Sequence, residues 1–227
     1  MTKFCLIPAR SGSKRIKNKN IKLFHGKPII SYAISNAKKS GLFDKIFVST
    51  DSSKIAKIAK KYGAEIPFIR PKNISNDKTV DDSVRNHFIE YCKKKKLHID
   101  YLCYLYPCTP LLKIKTLKNT FRLISQKRYK QLNTICKYSS YIQKVLKKNY
   151  KNEIEYKYKK NKYLRTQDLE EYYYDAGQLY WFNYKKNLKK KTIGYEISNW
   201  EGIDINTRED MQKASKIFKF IKWKNIS

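Results

Sequence analysis

The chain has few of the residues that nucleophilic and metal chemistry use most. Only three of its 227 residues are histidines (His25, His87, His98), and its five cysteines lie apart with no CxxC pair. No zinc-ligand spacing occurs and no Cys–His partnership is implied, so reduced, buried thiols are expected. Long apolar runs are missing as well. Stretches such as "FCLIP" and "YLCYLYP" fall far short of the ~20 residues a membrane helix needs. The first residues show no long apolar segment before a small-residue cleavage site, so a cytoplasmic chain without a membrane partner is expected. Glycine is scarce, seven in all, and neither G-x-x-x-x-G-K-[ST] nor G-x-G-x-x-G is present.

Acidic residues are outnumbered, 19 against 51 Lys and Arg, for a net charge of +32. Such a charge attracts polyanions. Yet most of the cations are lysines spread from end to end, and arginine, the better reader of bases and phosphates, is much rarer. No RRM, KH or helix-turn-helix pattern appears, so no specific nucleic-acid partner is expected.

What is there reads as a globular chain: 41% of residues are hydrophobic and 14% aromatic. A single domain over residues 1–227 is expected. Strand-like runs "KFCLIPA", "KIFVSTD", "YLCYLYP" and "LNTICKY" alternate with helical stripes, the first being "PIISYAISNAKKS", with Pro28 in its first turn. Further helices are predicted in "SSKIAKIAKKYG", "TVDDSVRNHFIEYCKKKK" and "IKTLKNTFRLISQK". This order points to an α/β fold with a doubly wound, mainly parallel, Rossmann-like sheet. Residues 141–163 break the rhythm and read as an exposed β-hairpin excursion, a lid or a dimerisation arm. "DLEEYYY" is expected to be a short helix with Asp168 and Glu171 as its capping box. "AGQLYWFN" returns as a strand, and a last helix is capped by Thr207 with Asp210.

The chemistry gathers at "IPARSGSKRIKNKN", residues 7–20, where a buried strand runs straight into a small-residue turn and then a run of cations. A solvated basic loop and a polyphosphate cradle are both compatible with that composition. In an open α/β sheet, ligands bind beyond the C-terminal strand ends. There Gly12 lets backbone N–H groups approach, Ser11 and Ser13 donate, and Arg10, Lys14 and Arg15 neutralise charge.

Extended to residue 30, "IPARSGSKRIKNKNIKLFHGKPII" resembles the N-terminal signature of the CMP-sugar-acid synthetases, which activate sialic acid-like and Kdo sugars with CTP. The resemblance implies a fold of the nucleotide-diphospho-sugar transferase type. It implies that Arg10, Ser13, Lys14, Lys19 and Asn20 hold phosphates and cytidine, with Ala9, Ser11 and Gly12 in the wrapping loop. Ser11 replaces one of the family's two glycines, and Lys17 stands where proline is frequent. Arg70 in "FIRP" matches a phosphate-contacting Arg, and "NDKTVDDSV" occupies the nucleotide-side loop, which includes Asp77. From the residues alone, Asp77 or Thr79 can equally cap the helix that follows, with Thr79 favoured as a cap.

"GIDINTRED" is similar to the family's D-I-D-T-x-x-D segment, which implies Mg²⁺ on Asp204 and Asn206, the amide standing where the second carboxylate belongs. Residues 163–181, "YLRTQDLEEYYYDAGQLYW", resemble the pseudaminic acid branch of the family. That branch puts Arg165, Gln167, Asp168, Asp175 and Gln178 around the sugar. The implied reaction joins CTP to a nine-carbon 2-keto sugar acid and releases pyrophosphate, with Arg10, Lys19 and Asp204 as catalytic residues. Dimeric relatives whose hairpin arms build each other's sugar site imply a homodimer. Three competing readings stand beside it: a sialic, legionaminic or Kdo-type substrate, a basic nucleic-acid-binding protein, and an inactive relative.

Overall fold

The computed structural model describes residues 1–126 and 129–224 of the chain. Strand β1 (Lys3–Pro8) is buried along its middle because it lies inside the sheet. A two-residue turn at His25 and Gly26, both with positive φ, joins β2 (Leu23–Phe24) to β3 (Lys27–Pro28). That is the backbone a tight hairpin requires, and glycine supplies half of it. Pro28 therefore belongs to β3 and not to the predicted helix, and α1 (Ile30–Ser40) starts two residues later. Next come β4 (Lys45–Ser49), α2 (Ser53–Lys61) and α3 (Asp81–Lys94). They are followed by β5 (Tyr101–Leu105), α4 (Ile114–Gln126) and β6 (Tyr129–Lys137). The short strands β7 (Leu146–Lys148) and β8 (Ile154–Tyr156) precede β9 (Tyr173–Asn183), β10 (Lys189–Glu196) and α5 (Arg208–Lys224).

Six strands form one sheet in the order β10-β6-β9-β5-β1-β4. Five run the same way; β9 alone is antiparallel, inserted between β5 and β6. Side chains alternate across the sheet, and both faces are covered. Cys5 and Ile7 pack with Ile30, Ile34, Ile55 and Leu117 from α1, α2 and α4. Phe4 and Leu6 point the other way, onto Val84 and Phe88 of α3. The predicted doubly wound, mainly parallel α/β architecture is the one observed. Among the described residues no helix is long and apolar enough to cross a membrane.

Two further local expectations fail, and one strand was missed, for identifiable reasons. "DLEEYYY" is no α-helix: a 3₁₀ turn at Thr166–Asp168 gives way to extended Leu169, and β9 starts at Tyr173. Asp168 pairs with Arg165, and Glu171 reaches Lys137 across the sheet, so neither caps a helix. Three consecutive tyrosines fit a pleated surface better than a helix. Thr79 does not cap α3 either; its hydroxyl donates to Asn76 Oδ1 at 3.2 Å, and Val80 holds the N-cap position. Finally β10, "KKKTIGYE", was not anticipated, because its run of lysines hides the alternation of an edge strand.

The 141–163 excursion does contain a hairpin, with β7 and β8 pairing antiparallel as a separate two-stranded sheet. At the other end of the chain, Thr207 and Asp210 form the expected box at the start of α5. The Asp210 N–H donates to Thr207 Oγ1 at 3.1 Å and the Thr207 N–H to Asp210 Oδ2 at 2.7 Å.

Trp181 of β9 shows how the inserted strand is locked. It is fully buried, stacks on Phe43 at 5.5 Å between ring centroids, and donates from Nε1 to Thr120 Oγ1 at 3.0 Å. Trp181→Ala is expected to lower the unfolding free energy by about 3–5 kcal/mol, read from urea denaturation.

Candidate active site

The sheet changes winding direction at β1, whose chain continues to β4 on one side while β5 lies on the other. A cavity of about 240 Å³ opens there, beyond the C-terminal ends of β1 and β5. This is the place where doubly wound sheets bind ligands. Five cations, Arg10, Lys14, Arg15, Lys19 and Arg70, line it against two carboxylates, Asp81 and Asp204.

The loop after β1 forms one wall and is fixed at four points. Ala9 is buried, and its N–H donates to Ser49 O at 2.9 Å, continuing the ladder for one residue. The Ser11 N–H and hydroxyl both donate to Asp51, each at 2.8 Å. Ile16, in the middle of the basic run, is buried with Cys108, Leu111 and Ile205 beneath α5. Asn20 closes the loop by donating from Nδ2 to Arg10 O at 2.8 Å, while the Cys108 thiol donates to its Oδ1 at 3.3 Å. Burial pushes that thiol up to about 12, so Cys108 is a protonated wall group and no nucleophile. An added Cβ on Gly12 would meet nothing within 4 Å, so in this free loop its glycine faces open space.

The cations divide into two sets. Lys19 donates from Nζ to Ile205 O at 2.7 Å and to Asn206 Oδ1 at 3.3 Å; Arg15 donates from Nη2 to the same Oδ1 at 2.9 Å. Both therefore rest on neutral oxygens. Arg10 and Lys14 instead share Asp77, with Arg10 Nη1 at 2.7 Å from Oδ1 and Lys14 Nζ on Oδ2. Lys14 first and Arg10 second hold the Asp77 carboxyl below the usual range.

Arg70 is buried in the wall and donates from Nε to Ser75 Oγ at 3.1 Å, so it is not in a surface ion pair. Burial lowers its proton affinity, offset in part by Tyr104, Asp51 and Asp81. A guanidinium stays charged under these conditions.

Asp81, the first residue of α3, was not singled out from the sequence. It accepts the Tyr104 hydroxyl at 2.8 Å and also the Tyr106 hydroxyl. Burial, and then Asp81 itself, raise both phenols, which remain protonated donors. Nothing local marks Asp81; only the placement of α3 over the end of β5 does.

Asp204 faces the same cavity from the irregular segment before α5, not from a strand. Its Oδ2 accepts from Asn206 Nδ2. The Asn206 oxygen, taken by Arg15 and Lys19, is turned away from Asp204, so the expected two-oxygen metal pair is not formed. Among the described residues no group of three or more His, Cys, Asp or Glu can hold a metal. Mg²⁺ fits here through Asp204 as one carboxylate, provided that phosphate oxygens and water supply the rest.

The residues expected around a sugar are divided. A left-handed Gly177 (φ 58°) and a register shift between Asn133 and Ile135 make a bulge in β9. The bulge turns Gly177 into the first cavity and Asp175 into a second one of about 280 Å³. Asp81 and Tyr104 wall both cavities. Asp175 accepts the Tyr180 hydroxyl at 2.9 Å. Gln178 is buried; it donates to Ala176 O at 3.0 Å and Ile203 O at 3.3 Å, leaving Oε1 without a partner among the described residues. Arg165 and Asp168 pair with each other at 2.8 Å, exposed like Gln167, and none of the three lines either cavity.

A cationic loop at the switch point of an open sheet is the arrangement of nucleotide-handling α/β enzymes. The chain belongs to the cytidylyltransferase family, whose model matches residues 4–220. It is 36% identical over 225 residues to a pseudaminic acid cytidylyltransferase of Campylobacter jejuni, covering 96% of this chain and 97% of that one. A Helicobacter pylori protein, named as a pseudaminic acid cytidylyltransferase and a UDP-2,4-diacetamido-2,4,6-trideoxy-beta-L-altropyranose hydrolase, is 36% identical over 217 residues. That match covers 90% of this chain and 40% of the longer protein. In fold, the chain is similar to a CMP:2-keto-3-deoxy-manno-octonic acid synthetase solved with CTP. The TM-score is 0.69 at 14% identity, over 96% of this chain and 99% of that one.

Asp210 fixes the Asp204–Asn206 segment by accepting the Asn206 N–H at 3.0 Å as well as the cap bonds from Thr207. Burial alone would raise its carboxyl, but the bonds from Thr207 and Asn206 outweigh it and the net shift is downward. A depressed folded pKa contributes stability above the unfolded value near ~4 that is lost as pH falls through the folded one. Asp210→Asn is expected to cost about 1 kcal/mol at pH 7, a difference that shrinks on acidification below about pH 4. Denaturation measured from pH 7 down to pH 3 checks this.

Proposed function

We propose that the protein transfers a cytidylyl group from CTP to a nine-carbon 2-keto sugar acid of the pseudaminic type, releasing pyrophosphate. The observation that carries this reading is the cavity at β1 and β5, where Arg10, Lys14, Arg15 and Lys19 converge on one space. The 36% identity to a pseudaminic acid cytidylyltransferase, over nearly the full length of both chains, supports the choice of substrate.

In this reading the loop from Ala9 to Asn20 wraps the triphosphate. Arg10, Ser13 and Lys14 take the β- and γ-phosphates through charge-assisted hydrogen bonds. Lys19 and Arg15, resting on neutral oxygens, are free to turn onto the α-phosphate and the departing pyrophosphate. The buried Arg70 adds a fixed positive charge on the opposite wall. Asn20 shapes the loop from behind through Arg10 O. A sugar hydroxyl attacks the α-phosphorus in line, so the protein's work is positioning and charge neutralisation. Asp204 would hold Mg²⁺, which would supply charge neutralisation at the phosphates and a lower pKa for the attacking hydroxyl.

The sugar lies along β9, with Gln178 behind it and Asp175 in the second cavity, across the shared wall of Asp81 and Tyr104. Arg165, Gln167 and Asp168 are assigned to the sugar side on the resemblance of their stretch to the pseudaminic acid branch. The excursion around β7 and β8 exposes Leu146, Tyr150, Ile154 and Tyr163, an apolar surface suited to a second copy of the chain. We assign the protein to the cytoplasm, as a homodimer.

Pyrophosphate release from CTP, assayed with nine-carbon and eight-carbon 2-keto sugar acids and with or without Mg²⁺, tests the reading. Release is expected with the pseudaminic-type acid and Mg²⁺; none with any acid would contradict it. Lys19→Ala is expected to lower turnover about 10²- to 10³-fold. Its melting temperature should stay within a few degrees of wild type, since the two hydrogen bonds lost, to Ile205 O and Asn206 Oδ1, tie one side chain and leave the core packing intact.

A further inference from the structure

Asp77 is held between the loop and the segment leading to α3, and what surrounds it separates two roles for an acidic residue at a phosphate site. Its own segment is self-supporting. Ser75 Oγ donates to Pro71 O at 2.8 Å, Asn76 Nδ2 to Asn73 O at 3.0 Å, and the Lys78 N–H to Asn76 Oδ1 at 2.9 Å. None of these bonds uses the Asp77 carboxylate. That group reaches out of its segment and places one oxygen on Arg10 and the other on Lys14. A second carboxylate, Asp51, touches the same loop differently, through the backbone N–H and hydroxyl of Ser11. Asp51 fixes the loop's shape; Asp77 occupies its charges.

We infer that Asp77 is a resident counter-anion which a polyphosphate displaces from Arg10 and Lys14, a positioning residue rather than a nucleotide contact. The inference rests on the reading that this loop binds polyphosphate. Two oxygens of one carboxylate on two separate cations reproduce the contact that two phosphate oxygens make. A carboxylate and a phosphate cannot share those cations without like-charge repulsion. Arg15 and Lys19, which carry no anion among the described residues, receive the incoming polyphosphate first. Its larger charge then takes Arg10 and Lys14, and Asp77 is released together with the contact tying its segment to the loop. Before binding, the exchange partner keeps Arg10 and Lys14 together despite their mutual repulsion.

The consequence has a sign that a purely structural role does not share. Exposed ion pairs are weak, so removing the competitor should tighten polyphosphate binding by no more than about three- to tenfold. Titration calorimetry of Asp77→Asn and wild type with sodium pyrophosphate, and separately with CTP, both without Mg²⁺, reads the effect. Asp77→Ser serves as a second uncharged variant, and the melting temperature of each free protein reports that it is folded. Tighter pyrophosphate binding by folded variants supports the exchange. Unchanged or weaker binding, with wild type still binding CTP, overturns the exchange and leaves the site reading standing. Failure of every protein to bind either ligand overturns both.

Discussion

A run of lysines and arginines in a single loop repels itself, and the site exists only because the fold holds that loop against its own charge. The restraint is mostly uncharged. Ile16 is buried under α5, the Asn20 amide clasps the Arg10 carbonyl, and Asp51 takes the Ser11 N–H and hydroxyl. These contacts fix where the backbone runs while leaving the cationic heads at the cavity. Fixing the backbone before a ligand arrives makes charge stabilisation effective, since only the side-chain heads then have to move.

The same economy is visible across the cavity. β9 enters the sheet against the direction of its neighbours, and its bulge at Gly177 faces the first cavity while turning Asp175 and Tyr180 toward the second. The Thr134 hydroxyl spans the gap in the ladder, donating to Leu179 O at 3.1 Å and accepting the Leu179 N–H at 3.2 Å. Buried Glu201 does similar work nearby, accepting the Lys113 N–H at 3.0 Å at the start of α4. At both places backbone groups left out of the regular ladder find a specific polar partner, as buried backbone requires.

The contiguous parts of this arrangement were readable in the sequence. The apolar run "KFCLIPA" and the basic loop after it are neighbours in the chain, so their juxtaposition needed no knowledge of the fold, and the alternation of elements followed from periodicity. What depended on distant contacts was not readable. Asp81 matters because α3 starts over Tyr104 and Tyr106, which lie on another element. The helix expected at residues 168–174 lost to a cross-strand partner, Lys137, that no local pattern announces. β10 is an edge strand whose lysines erase the usual alternation. For Asn206 the sequence revealed the amide, but not that Arg15 and Lys19 would take its oxygen.

The central claim is that the loop after β1 and the buried Arg70 enclose a cytidine triphosphate. A crystal structure of the protein grown with saturating CTP tests it directly. The account predicts density for the triphosphate in the cavity beyond β1 and β5, with Arg10 and Lys14 on its phosphate oxygens. Nucleotide density at another place on the molecule, or an empty cavity at saturating CTP, would contradict it.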